Sequence, residues 1–279
     1  MAAGLTLVGI GPGGFSGMTI AAFEVAKNAD LRYFESYTAL WPKEDLIELE
    51  DKIGEITTVM RPFVEEPEEL LSLAKEKNVV LLIVGDPLQA TTHVDLQLQA
   101  EQYGVKCDII HGVSITGIIT GALGLSNYKF GRQTTITYPY GGWVPTSPLE
   151  TIAINLHNGQ HTLALLDLDP TGEGVGGQRP MQPKDAADAL ISMSEKIMRD
   201  LEEGGIQKDS LHVKAFKDLC LNIQELPLVL CTDMGTKNQS VNSITLSELY
   251  SANEGGLHCL VIPSKLTEIE KSALSRWAK

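Results

Sequence analysis

The sequence predicts an α/β protein of two domains, with a parallel sheet and helices on both faces in the first. Three observations lead there. Residues 79–84 form an unbroken apolar run, Val-Val-Leu-Leu-Ile-Val. A half-buried strand alternates, whereas a continuous run has both faces covered, as in an inner strand of a parallel sheet. Strand-like and helix-like segments alternate from Leu5 to Ile110, the order that produces βαβ units. Finally, a chain of 279 residues is long enough for two domains. The pattern changes character after His111-Gly112, so the boundary is expected there, with domains over 1–112 and 113–279.

Each element has its own signal. Residues 5–10 are a short apolar strand running into Gly9-Ile10-Gly11-Pro12-Gly13-Gly14. A helix is expected over 19–28, with Thr19 as N-cap and Ile20, Phe23, Val25 and Ala26 as its apolar face. Residues 31–34 read as the second strand, ending at Glu35. Residues 45–53 are a charged helix with Leu46, Leu49 and Ile53 inward. Residues 56–60 look like an edge strand closed by Pro62. Over 67–77, Pro67 suits a first helical turn and Leu70, Leu71 and Ala74 make a stripe. The 79–84 strand is stopped by Gly85-Asp86-Pro87. A helix from Thr92 to Gln102 and a strand over 105–110 complete the unit.

In the second half, 115–125 is apolar but punctuated by Thr and Gly, and 133–138 is a β-branched run cut by Pro139. Residues 149–156 are expected to be helical and 161–167 a strand. Gly172, Gly174, Gly176 and Gly177 suggest a mobile loop over 171–178. Residues 184–203 carry the clearest helical stripe, Ala187, Leu190, Ile191, Ser194, Ile197, Met198 and Leu201, ended by Gly204-Gly205. Its methionines read as core. Two more strands, 226–231 and 257–262, are joined by a polar connection. No internal repeat is visible.

Composition narrows the function classes. The formal net charge of −14 repels phosphate backbones, so nucleic acid is not expected as the main ligand. Cys107, Cys220, Cys231 and Cys259 are far apart with no CxxC pair, so the sequence offers no zinc motif and no metal is expected. Three of them lie in apolar strand-like runs, which suits free thiols in a reducing cytoplasm. No signal-peptide pattern and no membrane-length apolar run is evident.

Two stretches carry chemistry. Asp86 falls just beyond the carboxyl end of a central strand, the edge at which open α/β sheets bind small ligands. The plainer reading of the same tripeptide is a tight turn with Asp as a cap. Gly9, Gly11 and Gly14 fit the G-x-G-x-x-G dinucleotide pattern, and Glu35 stands where a ribose-binding acid would. Against that, Pro12 has no N–H to offer a pyrophosphate, and residues 15–18 separate the motif from the helix whose dipole should face it. A Gly-rich turn is the structural alternative.

Together these residues resemble the S-adenosylmethionine-dependent tetrapyrrole methylase superfamily, through Gly9-Ile10-Gly11-Pro12-Gly13 and Gly85-Asp86-Pro87. Within it the chain is most similar to the diphthine synthases. Four segments carry that likeness: Tyr33-Phe34-Glu35-Ser36-Tyr37-Thr38; Gly85-Asp86-Pro87 through Ala90-Thr91-Thr92-His93; His161-Thr162-Leu163 with Leu165-Leu166-Asp167; and Leu257-His258 ahead of Val261-Ile262-Pro263. The resemblance runs over nearly the whole chain. It implies two α/β domains, the second with a mixed sheet, and a cofactor in the cleft between them. It implies methyl transfer from S-adenosylmethionine to the amino group of an aminocarboxypropyl-modified histidine on translation elongation factor 2, by a cytoplasmic homodimer. Carried over by motif, the cofactor contacts are Pro12, Asp86, Gln89, Ser114, Ile115, Leu166, Met234 and His258. Read without the family, Ser114 is a good N-cap, Leu166 is core and His258 a satisfied histidine. The chain departs from the pattern at Thr232-Asp233-Met234-Gly235, where many members have Ala-Arg-x-Gly, and it looks longer than compact members between 170 and 225.

The attacking amine must lose a proton, and Asp86, His93, Asp167 and His258 are the candidate bases. Bulk water is an alternative acceptor, and no catalytic residue is assigned. A methylase acting on a tetrapyrrole macrocycle, an NAD-dependent oxidoreductase and a non-enzymatic acidic binding module remain as alternatives.

Overall fold

The computed structural model describes residues 2–204 and 210–278. Their contacts divide the chain into two compact units. One comprises 1–118, 173–178 and 235–237; the other comprises 119–172, 179–234 and 238–279.

The first unit runs β1 (Gly4–Gly9), α1 (Ile20–Lys27), β2 (Leu31–Glu35), α2 (Lys43–Ile53), β3 (Thr57–Val59), α3 (Arg61–Glu65), α4 (Glu68–Glu76), β4 (Asn78–Ile83), α5 (His93–Gln102), β5 (Cys107–Ile110) and the start of α6 (Ile115–Ala122). Its sheet is five-stranded in the order β3-β2-β4-β1-β5, and every pairing is parallel. All six residues of β4 are buried, as an inner strand covered on both faces requires. Val79, Leu81 and Ile83 pack with Leu70 and Leu71 of α4 and Leu96 of α5. Val80 and Leu82 face the other way, against Ala22 and Ala26 of α1 and Leu49 and Ile53 of α2. Thr19 caps α1, accepting from the Ala22 N–H at 3.1 Å. The expected apolar face of α1 is corrected at one residue: Ile20 is 83% exposed, while the small side chains of Ala22 and Ala26 meet the sheet. A further short helix, α3, follows the edge strand where the sequence suggested only a stop at Pro62.

The second unit contains the rest of α6, then β6 (Thr134–Ile136), α7 (Ser147–His157), β7 (Thr162–Leu166), α8 (Pro183–Glu202), α9 (Ser210–Leu221), β8 (Pro227–Thr232), β9 (Ser240–Thr245), α10 (Leu246–Leu249), β10 (His258–Ile262) and α11 (Glu268–Leu274). Its sheet order is β6-β7-β10-β8-β9. β6 pairs parallel to β7 and the other pairings are antiparallel, so the sheet is mixed. One core joins Ile136, Ala164, Leu230, Leu260 and Ile262 of the sheet to Leu149 of α7, Leu190 of α8 and Phe216 of α9. Met193 of α8 lies in the same core. The connection expected to be merely polar between β8 and β10 contains β9 and α10. The predicted stop at Gly204-Gly205 falls partly outside the described residues, since Gly205 is among those left out. No helix among the described residues is long and apolar enough to cross a membrane.

Candidate active site

In the first unit, β1, β4 and β5 converge at their carboxyl ends on three glycines. A Cβ at Gly9 would lie 2.5 Å from the Gly112 nitrogen and 2.6 Å from the Gly85 carbonyl oxygen, and one at Gly112 would overlap that same oxygen. Gly11 and Gly85 exchange backbone hydrogen bonds: the Gly11 N–H donates at 3.2 Å and the Gly85 N–H at 2.9 Å. These glycines therefore hold strand ends together. The Gly11 N–H is not free for a pyrophosphate, and a 3-10 turn over Phe15–Gly17 stands between the loop and α1. Glu35, the supposed ribose acid, is fully buried. The dinucleotide reading thus fails on geometry as well as on Pro12.

Asp86 sits on this junction and is itself buried. Its Oδ1 accepts from the Leu88 N–H at 3.0 Å. Its Oδ2 accepts from the Gly112 N–H at 3.3 Å and lies 2.8 Å from His111 Nδ1. The turn and the site readings of Asp86 are therefore not exclusive, because the carboxylate ties the end of β4 to the end of β5. Four further site candidates lie in the same unit. Thr116 donates its hydroxyl to Gln89 Oε1 at 2.5 Å and lies 3.0 Å from Ser114 Oγ, so Gln89 and Ser114 share a partner. Ile115 opens α6 next to Ser114. Pro12 directly follows Gly11. Ala90, one residue past Gln89, has φ 58, a conformation that costs a non-glycine residue and clusters at functional sites.

Beneath the 86–92 loop lies a contact the sequence could not reveal. His93 Nε2 is 3.0 Å from Glu35 Oε2, with both side chains buried. Glu35 Oε1 accepts from the Thr38 N–H at 2.8 Å and its hydroxyl at 2.5 Å. On the other side of its ring, His93 Nδ1 is 2.7 Å from Thr91 Oγ1 and 3.1 Å from the Pro87 carbonyl oxygen. Glu35 and His93 thus brace the loop from below.

The second unit gathers its three candidates in the same fashion. β7 and β8 run antiparallel to β10, so the carboxyl ends of the former meet the amino end of the latter. Leu166 ends β7, His258 begins β10, and Met234 lies just past β8. His258 Nδ1 is 2.9 Å from the Thr232 hydroxyl. Burial lowers the His258 pKa against the opposing pull of Asp233 and a Gly255 backbone contact, favouring the neutral imidazole. Asp233 stands where many relatives of the resembled family have Arg, and it has a structural task. Its Oδ1 accepts from the Leu257 N–H at 2.8 Å while its own N–H donates to the Leu257 carbonyl at 2.8 Å.

The chain is similar to known proteins over nearly its whole length. Residues 4–250 match the family described as tetrapyrrole (corrin/porphyrin) methylases. A diphthine synthase of Methanocorpusculum labreanum is 31% identical, with 98% of each chain covered. One of Pyrobaculum aerophilum is 34% identical, covering 97% of this chain and 96% of that one. A crystal structure of diphthine synthase superposes with a TM-score of 0.78 at 30% identity, covering 98% of this chain and 95% of the other. The chain belongs to the diphthine synthases of the tetrapyrrole methylase family. As a member of that family it is an S-adenosylmethionine-dependent methyltransferase.

For such an enzyme, most of the candidate bases are already engaged. Asp167 accepts from the Tyr140 hydroxyl, from the Tyr138 N–H at 3.1 Å and from the Leu168 and Asp169 N–H groups at 2.8 and 3.2 Å. Asp86 serves the strand junction and His93 the brace. Sequence reasoning missed Thr116, which links two cofactor candidates, and His111, which touches the Asp86 carboxylate. The signal for both was their position directly after the boundary at β5.

Proposed function

We propose that this chain methylates the amino group of the aminocarboxypropyl-modified histidine of translation elongation factor 2, the step that forms diphthine. One observation carries the reading. Two of the segments that carry the likeness to diphthine synthases, 33–38 and 85–93, are far apart in sequence yet join through the 3.0 Å contact of Glu35 with His93, beside the Asp86 turn. A shared tetrapyrrole-methylase fold does not require that pair, and its presence supports the narrower reading.

The residues suit the donor. S-adenosylmethionine supplies a methyl group already activated by its sulfonium. Asp86 offers a carboxylate to an ammonium or a ribose hydroxyl, and Gln89 and Ser114 offer hydrogen-bonding side chains. Leu166, Met234, Ile115 and Pro12 offer the apolar surface that adenine and a thioether need, and His258 is a neutral imidazole. These eight remain the proposed cofactor contacts. The work of the chain is to hold amine and methyl carbon close and in line, which by itself supplies much of the acceleration. Asp86, His93 and Asp167 are held by internal partners, which leaves the neutral His258 imidazole and water as acceptors for the proton of the amine. The enzyme acts in the cytoplasm as a homodimer with the elongation factor as its protein substrate.

The test is incubation with methyl-labelled donor and, in parallel, either elongation factor 2 bearing the unmethylated side chain or a tetrapyrrole macrocycle. Label on the factor alone supports the reading. Label on the macrocycle alone contradicts it in favour of the tetrapyrrole alternative.

A further inference from the structure

Among the described residues of the first unit, two polar atoms close together have no hydrogen-bond partner. Tyr37 lies two residues beyond Glu35 and is only 4% exposed, yet its Oη makes no hydrogen bond. Buried phenol hydroxyls ordinarily find a partner. The Arg61 guanidinium lies over the same ring, 5.2 Å from its centroid, and Arg61 Nε is also buried with no hydrogen bond. The carboxylate paired with Arg61 is Glu65, 3.8 Å away on the same short helix with both side chains partly exposed, a loose contact. Glu35 is close: its Oε1 accepts from Thr38, while its Oε2 lies 3.0 Å from His93 Nε2 without a hydrogen bond.

The backbone packs closely against the pair. The Arg61 N–H donates to the Gly174 carbonyl at 3.1 Å. Gly174 has φ +66, and a Cβ there would come within 2.6 Å of Arg61 Nε. Only glycine lets the 173–178 segment approach so closely. Gln178 Nε2 donates to the Ser36 carbonyl at 2.6 Å and fastens the segment next to Tyr37. Burial, reinforced by Glu35 and Glu65, pushes the Tyr37 phenol well above its ordinary range against the pull of Arg61, so it remains a neutral donor. Both atoms are donors, and neither is met by an acceptor at hydrogen-bond distance among the described residues. A planar guanidinium next to a hydroxyl suits a carboxylate above other acceptors.

We propose that Tyr37 and Arg61 form the subsite that grips the carboxylate of the acceptor side chain. The inference rests on the acceptor reading above, in which amine and carboxylate share one carbon. Holding the carboxylate fixes where the amine points. The subsite also adjoins the loop we assign to the donor: Glu35, between Phe34 and Ser36 on the same strand end, holds His93, which in turn contacts the Pro87 carbonyl next to Asp86. The Arg61 side chain is partly exposed to solvent.

Tyr37→Phe and Arg61→Lys test it, with methyl transfer to elongation factor 2 bearing the aminocarboxypropyl histidine, calorimetric affinity for S-adenosylmethionine, and melting temperature. Each variant is expected to raise the KM for the modified factor about tenfold or more, the effect of losing a charged hydrogen bond, with donor affinity unchanged. Tyr37→Phe should melt at the same temperature or higher, since it removes an idle buried hydroxyl. Unchanged acceptor KM in both variants, with the wild type active, would overturn the subsite alone. A parallel loss of donor affinity, or a sharply lowered melting temperature for Tyr37→Phe, would overturn it too, by showing the pair to be structural. No transfer by the wild type would overturn the acceptor reading and the subsite with it.

Discussion

Replacing Asp86 by alanine should weaken both the fold and the grip on the methyl donor. The carboxylate accepts from two backbone N–H groups, Leu88 at 3.0 Å and Gly112 at 3.3 Å, and pairs with His111 at 2.8 Å. Each backbone bond to an internal acceptor is worth roughly 1–1.5 kcal/mol. The His111 side chain is 70% exposed, so its pairing adds no more than about 1 kcal/mol. The loss is therefore about 2–4 kcal/mol, which for a protein of this size lowers the melting temperature by roughly 4–16 °C. A charged hydrogen bond to the donor, if Asp86 makes one as we propose, is worth about 1.5–3 kcal/mol, a loss of tenfold or somewhat more in affinity. Differential scanning calorimetry and titration calorimetry on one variant separate the two. Asp86→Asn keeps the Oδ1 acceptor for Leu88 and should recover part of the stability but less of the affinity. An unchanged melting temperature would refute the strand-junction role. A lowered one with unchanged donor affinity would remove Asp86 from the donor site.

Further predictions follow from the second unit and the glycine junction. Glu270 accepts from Lys129 Nζ at 2.7 Å, the Ser126 and Thr267 N–H groups at 3.0 and 2.8 Å, and His161 Nε2 at 3.1 Å. Glu270→Ala leaves that buried set unpaired and should cost roughly 3–5 kcal/mol in chemical denaturation. Burial pushes the Glu270 carboxyl up, but Lys129, Thr267, Ser126 and His161 outweigh it and hold it well below the usual carboxylate range. A depressed folded pKa stabilises above the unfolded value, so this contribution is present above about pH 4.3 and is lost as pH falls below it. Burial also lowers the His161 pKa, so its share begins to be lost below about pH 6.5. Glu270→Gln should therefore flatten the lower part of the acid limb, and an acid limb identical to wild type would contradict the assignment. Gly112→Ala, which drives a Cβ into the Gly85 carbonyl, should destabilise by about 1–3 kcal/mol or more. Gly117→Ala, with nothing within 4 Å, should stabilise or be neutral; equal effects would refute the crowding argument. Light scattering at micromolar protein should return a dimer mass, and a monomer would count against the proposed assembly.

What the chain discloses of its structure depends on whether the deciding pattern is local. β4 is legible because six consecutive apolar residues admit few other fates. α8 is legible because its stripe repeats over twenty residues. β9 is not, since Ser240–Thr245 is an edge strand of mostly half-buried polar residues, without the apolar run or strict alternation that marks a strand. α10 and α11 did carry a local sign, Thr245-x-x-Glu248 and Thr267-x-x-Glu270, and both form capping boxes. Their shortness hid the apolar period. In the site, the position of Asp86 is readable from Gly85-Asp86-Pro87 after a buried strand. Its partners His111 and Gly112 come from another strand, and the Glu35–His93 contact spans two βαβ crossovers, so neither is legible from local sequence. The glycine pattern at Gly9, Gly11 and Gly14 misleads for a physical reason: close strand packing and phosphate approach both demand the absence of a Cβ.

The central claim is that the acceptor is the aminocarboxypropyl amine of the elongation factor. Mass spectrometry of the factor after reaction with isotopically labelled S-adenosylmethionine tests it most directly, because fragmentation locates and counts the added methyl groups. The account predicts label on the peptide carrying the modified histidine, borne by its amino nitrogen, and none on a factor with the unmodified histidine. Label elsewhere on the factor, or equal labelling of the unmodified factor, would contradict it.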